Sequence, residues 1–295
     1  MAGHPAHGGD LATATARHGT PPGGWLDLST GVAPYPYPAR RDEAAACRLP
    51  QAGARDAAVR AAAQAYGAPA GAILPVPGSD AAIHLMPHLT ARTRVTVATP
   101  TYPSHTEAWR AAGHTIHEIV AETAAETVAG SGVVVVGQPN NPDGRVWPRA
   151  ELLACAGRLA AQGGMLVVDE AFADAVPGTS LAPHAGRPGL LVLRSTGKIL
   201  GRPGVRLGFV LAPEAWRAPL AAALGPWAVS GPALALGAEA LADSAWLHRQ
   251  RERLRADAVA LDALLARHGL PVAGGTPLFR LARAVDAPAL AERLA

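Results

Sequence analysis

Short runs of β-branched and aliphatic residues recur along this chain at 93–98, 115–120, 133–136, 165–168, 190–193 and 205–211, with alanine-rich, helically spaced stretches between them from about residue 52 onward. The run at 133–136 is four consecutive valines. A strand that is apolar at every position, rather than at alternate ones, is buried on both faces, and strands alternating with helices build βαβ units. The pattern therefore predicts an α/β fold, with a mostly parallel sheet flanked by helices on both sides.

The ends of the chain read differently. Residues 1–35 are rich in Gly and Pro and lead into Pro34-Tyr35-Pro36-Tyr37-Pro38, which is extended or turned because each proline disfavours helix at the residue before it. An N-terminal arm is expected there. Residues 214–269 read as helix, including a charged amphipathic stretch at 246–268, and 272–295 read as a strand followed by a helix. A chain of 295 residues has room for a large domain with a smaller satellite. The expected division is an arm at 1–35, a large ligand-binding domain at 36–240 and a small C-terminal α+β domain at 241–295.

Several function classes are disfavoured at once. With 49% hydrophobic residues the composition is that of a globular chain. No apolar window approaches the ~18 residues of a membrane span, and His4, His7 and Asp10 stand where a signal peptide would be basic and then apolar. Cys47 and Cys155 are too few for a disulfide framework, so a reducing cytoplasm is the expected location. The net charge is +3, but the arginines are dispersed and form no stripe along which a phosphate backbone would run, so no nucleic-acid partner is expected. Of the 26 Lys and Arg residues a single one is lysine, leaving 25 arginines. That lysine is Lys198, and an amine can lose its proton where a guanidinium cannot.

Ligands of open α/β sheets bind beyond the carboxyl ends of the strands, so the loops that follow the apolar runs are where chemistry is sought. After 190–193 comes Ser195-Thr196-Gly197-Lys198, with Arg206 eight residues beyond the lysine. This places an imine-forming amine beside two phosphate ligands, against the plainer reading of a surface lysine in a Gly-rich loop. After 165–168 comes Asp169-Glu170-Ala171-Phe172, where Asp169 either pairs with a protonated pyridine nitrogen or simply caps the next helix. After 133–136, Asn140-Asn141-Pro142-Asp143-Gly144 is a turn that could aim the Asn141 amide at a phenolate oxygen. Gly78-Ser79-Asp80 precedes a helix expected at 81–89, with Ser79 or Asp80 as cap and free amides as an anion site. His84 and His88 have the spacing of a ligand pair, yet Pro87 intervenes and no third ligand follows. His114 and His117 flank a strand, and no metal site is expected.

Taken in order, Gly78-Ser79-Asp80, Pro100-Thr101-Tyr102-Pro103, Asn141-Pro142-Asp143-Gly144, Asp169-Glu170-Ala171-Phe172, Ser195-Thr196-Gly197-Lys198 and Arg206 resemble the cofactor-site set of the class I/II aminotransferases, over residues 7 to 212. The resemblance implies the aspartate aminotransferase-like fold and pyridoxal 5'-phosphate as cofactor. It implies Lys198 as the imine-forming catalytic base, Asp169 on the pyridine nitrogen, Asn141 on the ring hydroxyl and Tyr102 stacked on the ring. Ser79, Asp80, Ser195 and Arg206 would hold the phosphate, and a homodimer is the implied assembly. Phe172 stands where many members carry a tyrosine, so one hydrogen bond to the ring hydroxyl is expected to be missing.

Within that family, His7-Gly8-Gly9-Asp10, Leu28-Ser29-Thr30-Gly31 and the Asp-Glu-Ala-Phe form look like the threonine-phosphate decarboxylase branch of cobalamin biosynthesis, with histidinol-phosphate aminotransferases as the nearest alternative. His7, Gly8 and Gly31 are then the residues expected to meet the substrate, L-threonine O-3-phosphate. Whichever Cα bond stands perpendicular to the ring breaks, and no motif in the chain decides between decarboxylation and transamination. The resemblance also implies a carboxylate-binding arginine on a strand lying beyond Ala295, and neither Arg280 nor Arg283 has the matching context. The small domain is accordingly expected to be incomplete, and a cofactor-binding protein of little activity is the remaining alternative.

Overall fold

The computed structural model describes residues 8–39, 43–120, 122, 123, 128 and 130–294. Its strands are β1 (Ile73–Val76), β2 (Arg94–Ala98), β3 (Thr115–Ile119), β4 (Val133–Gly137), β5 (Met165–Asp169), β6 (Leu190–Ser195), β7 (Gly208–Leu211), β8 (Val272–Thr276) and β9 (Phe279–Ala282). Its helices are α1 (Leu11–His18), α2 (Glu43–Ala46), α3 (Ala52–Tyr66), α4 (Ser79–Leu85), α5 (Pro103–Ala111), α6 (Arg149–Ala160), α7 (Thr196–Ile199), α8 (Glu214–Leu224), α9 (Gly231–Ala242), α10 (Ser244–Arg267) and α11 (Ala287–Leu294).

The large sheet runs β1-β7-β6-β5-β4-β2-β3, parallel from β6 through β3 and antiparallel where β7 meets β6 and β1. Period-2 geometry divides its apolar runs between two cores. Val134, Val136, Leu166, Val168, Leu190 and Val192 face one of them. Val133, Val135, Met165, Val167, Leu191 and Leu193 face the other. This is the two-faced burial that the unbroken valine run predicts. β2 leads outward to β3 whereas β4, β5 and β6 proceed the other way, so the winding reverses between β2 and β4 and opens a crevice at their carboxyl ends.

The structure departs from the sequence reading at several elements. β1 is an unforeseen strand containing Pro75, which is tolerated because β1 is an edge with only β7 beside it. The expected strand at 205–211 starts at Gly208, because Pro203–Val205 forms a 3-10 turn and Arg206 adopts the left-handed conformation with φ of 55°. The continuous helix expected at 214–269 is three helices, broken at Gly225-Pro226 and at Asp243, whose side chain caps α10 by accepting from the Trp246 N–H. The arm carries the short helix α1, capped by Asp10. The C-terminal segment holds two antiparallel strands rather than one.

β5 and β6 are tied together just beyond the sheet by buried charges. Arg194 lies 2.8 Å from Glu170 and also pairs with Asp174, while its guanidinium sits 4.1 Å from the centroid of the Tyr66 ring. Removing one partner of a buried ion pair strands the others without water. Arg194→Met is therefore expected to lower the unfolding free energy by about 3–5 kcal/mol, read from the midpoint of a urea titration followed by circular dichroism.

Candidate active site

The crevice at the strand ends contains a cavity of about 380 Å³. Its wall includes Ser79, Asp80, Tyr102, Asn141, Asp169, Phe172, Ser195, Lys198 and Arg206, together with Gly8 and Gly31 from the arm. Residues separated by as many as 127 positions among the expected cofactor set, from Ser79 to Arg206, are thus brought to one place by the sheet. His7 lies outside the described residues.

The register explains the convergence. Gly137 of β4 pairs with Asp169 of β5, Asp169 with Leu193 of β6, and Ser195 with Gly208 of β7. Three strand ends therefore present their next residues at one level. Asn140 makes the turn after β4, its amide donating to Pro100 O and Asp143 Oδ1 at 2.7 Å each and its Oδ1 accepting from Thr101. With Asn140 committed to the turn, Asn141 is the one that borders the cavity.

Asp169 accepts on both oxygens, from the Ala171 N–H at 3.0 Å and from His105 Nε2 at 2.8 Å. A histidine nitrogen that faces a carboxylate at this distance carries the proton and donates it. His105 is 1% exposed on α5, three residues after Tyr102. The sequence reading passed over this residue, since a histidine on the buried face of a helix has no signature until its partner is seen. Tyr102 lies edge to face with it, centroids 6.1 Å apart, and burial raises the Tyr102 pKa, opposed by a hydrogen bond with Ser104. The phenol is thus neutral at ordinary pH.

At the opposite wall, Gly78 rather than Ser79 or Asp80 caps the helix, which begins at Ser79 and tightens at Met86–Leu89 into a 3-10 turn containing Pro87. The first-turn amides have no intrahelical acceptor. Gly78 needs glycine for its left-handed backbone, with φ of 79°, and Gly208 for close approach to main chain. A Cβ on Gly78 would stand 2.6 Å from Arg206 Nη2, and one on Gly208 would stand 2.5 Å from the Ser79 nitrogen. Arg206 holds a left-handed backbone that a non-glycine residue adopts at a cost, which marks it as a position fixed by its surroundings. Arg206, the Ser79 and Ser195 hydroxyls and the amides of Ser79 and Asp80 form a donor set suited to a phosphate. The Asp80 carboxylate itself would repel one.

Lys198 lies between these two ends. Its pKa is lowered, first by burial; Asp169 opposes the shift, Arg206 adds to it and Asp80 opposes it. Its Nζ is 5.4 Å from the centroid of Phe172, which packs edge to face on Phe279 of β9 and against Gly31. A lysine with a depressed pKa populates the neutral amine at lower pH than a free side chain. Since Lys198 is the sole lysine, its reaction with an amine-selective acylating reagent, followed by peptide mass spectrometry, is expected to reach half its maximal rate below the 10.5 of ordinary lysine.

The remaining candidates are elsewhere. Arg280 is engaged with Asp262 of α10 at 2.5 Å, and neither it nor Arg283 borders the cavity. His84 and His88 do not share a helix, since α4 ends at Leu85. His114 is buried with Nε2 2.8 Å from Pro87 O, a structural contact. Among the described residues no group of three or more His, Cys, Asp or Glu could hold a metal, and no helix is long and apolar enough to cross a membrane.

The sequence profile of the family described as aminotransferase class I and II matches residues 43–294. The chain is 46% identical, over 95% of its length, to a threonine-phosphate decarboxylase of Pseudomonas aeruginosa, of which it covers 83%. It is 44% identical, over 98% of its length, to a threonine-phosphate decarboxylase of a Sinorhizobium species, of which it covers 86%. Among solved structures, the aspartate aminotransferase of Thermus thermophilus with maleate superposes with a TM-score of 0.73 at 21% identity, over 90% of this chain and 78% of that one. At that identity the likeness speaks for the fold alone, and the fold is the aspartate aminotransferase-like one.

Proposed function

This chain belongs to the aminotransferase class I and II family, and from that premise we propose that it is a pyridoxal 5'-phosphate enzyme that decarboxylates L-threonine O-3-phosphate to 1-amino-2-propanol O-2-phosphate in cobalamin biosynthesis. The observation that carries the proposal is that the only lysine in the sequence lies in a cavity with an anion-binding wall on one side and a histidine-braced carboxylate on the other. The two relatives that match over nearly the whole chain supply the substrate class.

The residues fit the cofactor. Its phosphate matches Arg206, Ser79, Ser195 and the first-turn amides of α4, its pyridine nitrogen matches Asp169, its phenolic oxygen matches the Asn141 amide and its ring matches the face of Tyr102. When bound, pyridoxal 5'-phosphate supplies an aldehyde that captures amines and a protonated ring that takes up the electron pair left at Cα. Lys198 would yield its place to the substrate amine, take up the proton that the substrate ammonium gives up, and stand beside Cα as an ammonium. Asp169, which accepts from His105 and from the Ala171 N–H, would pair with the ring nitrogen. Loss of the Cα–carboxylate bond releases carbon dioxide and leaves Cα short of one proton, which the Lys198 ammonium delivers. Phe172 offers no hydroxyl to the phenolic oxygen, so Asn141 serves it without help from that position.

Gly8 and Gly31, with His7, are proposed to meet the substrate. The division into an arm at 1–35, a cofactor-binding domain at 36–240 and a smaller domain from 241 is proposed likewise, as are a homodimer and a cytoplasmic location. The test is carbon dioxide release from threonine phosphate by the cofactor-loaded protein. Release at stoichiometry with amino-propanol phosphate is expected; turnover of histidinol phosphate with 2-oxoglutarate instead would overturn the substrate, and turnover of neither would favour a cofactor-binding protein of little activity.

A further inference from the structure

Helix α7, which carries Lys198, is four residues long. A helix this short does not hold itself, because its last carbonyls have no partner of their own within it. Lys198 O accepts locally from the Gly201 N–H at 3.4 Å, and further partners come from far along the chain. Lys198 O accepts from the Ala33 N–H at 2.9 Å and Leu200 O from the Tyr37 N–H at 2.8 Å, so the arm runs beside the turn as a pseudo-strand. The carbonyl between them, Ile199 O, accepts instead from the side chain of Gln250, on α10, at 3.1 Å.

The same Gln250 nitrogen donates to Tyr35 O at 3.0 Å, so one amide group spans the arm and the lysine turn with its two N–H bonds. Gln250 is 4% exposed, and Ile199, whose carbonyl it bonds, belongs with Ala33, Tyr37, Leu200, Leu247 and Leu254 to one buried apolar cluster. A polar group at such a place is costly unless both ends of its bonds are satisfied. No side chain without two donors on one atom completes this arrangement.

We propose that Gln250 is a positioning residue for Lys198, fixing the lysine turn against the arm through Tyr35 O and Ile199 O. The proposal rests on the reading of Lys198 as the reactive amine. It assigns to the middle of α10, outside the cavity wall, a share in where that amine stands.

Gln250→Met keeps the length and unbranched shape and removes both donors. The charged groups that face the Lys198 amine, Asp169, Asp80 and Arg206, are unchanged in it. Before cofactor is added, the pH of half-maximal Lys198 acylation in the full-length variant is expected to rise by at least about half a unit, a threefold change in reactivity, as the freed turn lets water reach the amine. Leu254→Val, in the same cluster and without a bond to the turn, is expected to leave it in place. With cofactor bound, Gln250→Met is expected to lower kcat about tenfold with KM within about twofold. Equal acylation midpoints in Gln250→Met and the unaltered protein, or equal shifts in the two variants, would overturn the proposal. If Gln250→Met does not fold, amide exchange in the unaltered protein decides. Protection of Ala33 and Tyr37 matching that of β5 supports a latched turn, and exchange at the rate of α1 refutes it. Acylation is read without substrate, so a failure to release carbon dioxide would sink the proposed function and leave this inference standing.

Discussion

Lys198→Ala is expected to bind pyridoxal 5'-phosphate without the lysine-imine absorption band of the unaltered protein and to release carbon dioxide at least about a thousandfold more slowly, the upper range for a positioned acid–base group. The effect is large because no other lysine exists to substitute for it and no arginine can lose its proton at working pH. The fold should survive. Lys198 makes its structural bond through its main-chain carbonyl to Ala33, which alanine retains, and a smaller side chain at a cavity wall leaves no enclosed void. A spectrum from circular dichroism matching the unaltered protein, alongside the lost imine band, separates loss of chemistry from loss of structure. Retention of a tenth or more of the activity would remove Lys198 from the reaction.

Asp169→Asn is expected to reduce turnover by about two to three orders of magnitude, the size of effect seen when a preorganised electrostatic partner is removed from a reacting centre. The substitution is nearly isosteric, so packing around β5 is kept, but the charge proposed to pair with the ring nitrogen is gone. His105 loses its anionic acceptor at the same time. Asp169→Glu, which keeps the charge and lengthens the arm, should recover part of the loss, while cofactor affinity, proposed to come mainly from the Arg206 and Ser79 end, should change less. Steady-state kinetics with saturating cofactor reads both. An asparagine variant as active as the unaltered enzyme would mean that Asp169 merely caps the loop that follows it, the plainer of its two readings.

Much of the site was legible in the residues because its chemistry is local: a lone amine, a carboxylate at the end of an apolar run and a proline-rich turn each announce themselves within a few positions. The central strands were legible for a physical reason as well. Sheet strands buried on both faces have unbroken apolar runs, and Val133 to Val136 show it most plainly. β1 was hidden by Pro75, which argues against a strand until one sees that the strand is an edge. The breaks at Gly225-Pro226 and Asp243 were masked by alanine and leucine on either side, which keep a helical spacing whether or not the helix is continuous.

What no local pattern could disclose are the contacts that brace the site from a distance. His105 reaches Asp169 across 64 positions, and Gln250 reaches Tyr35 across 215. Arg194, near the end of β6, stands next to Ser195 at the start of the segment that was read, yet its importance lies in Glu170 and Asp174 beyond the neighbouring strand. These residues act by holding others, so their meaning exists only once the sheet has set strand beside strand.

The proposed chemistry begins with a bond between one nitrogen and one aldehyde. Treating the cofactor-loaded protein with borohydride and mapping the digest by mass spectrometry should find the reduced pyridoxyl group on the peptide containing Lys198, in near-stoichiometric yield and lowered when the reduction is done in the presence of saturating threonine phosphate. An unmodified Lys198 peptide after the same treatment, from protein shown to have been coloured, would contradict it.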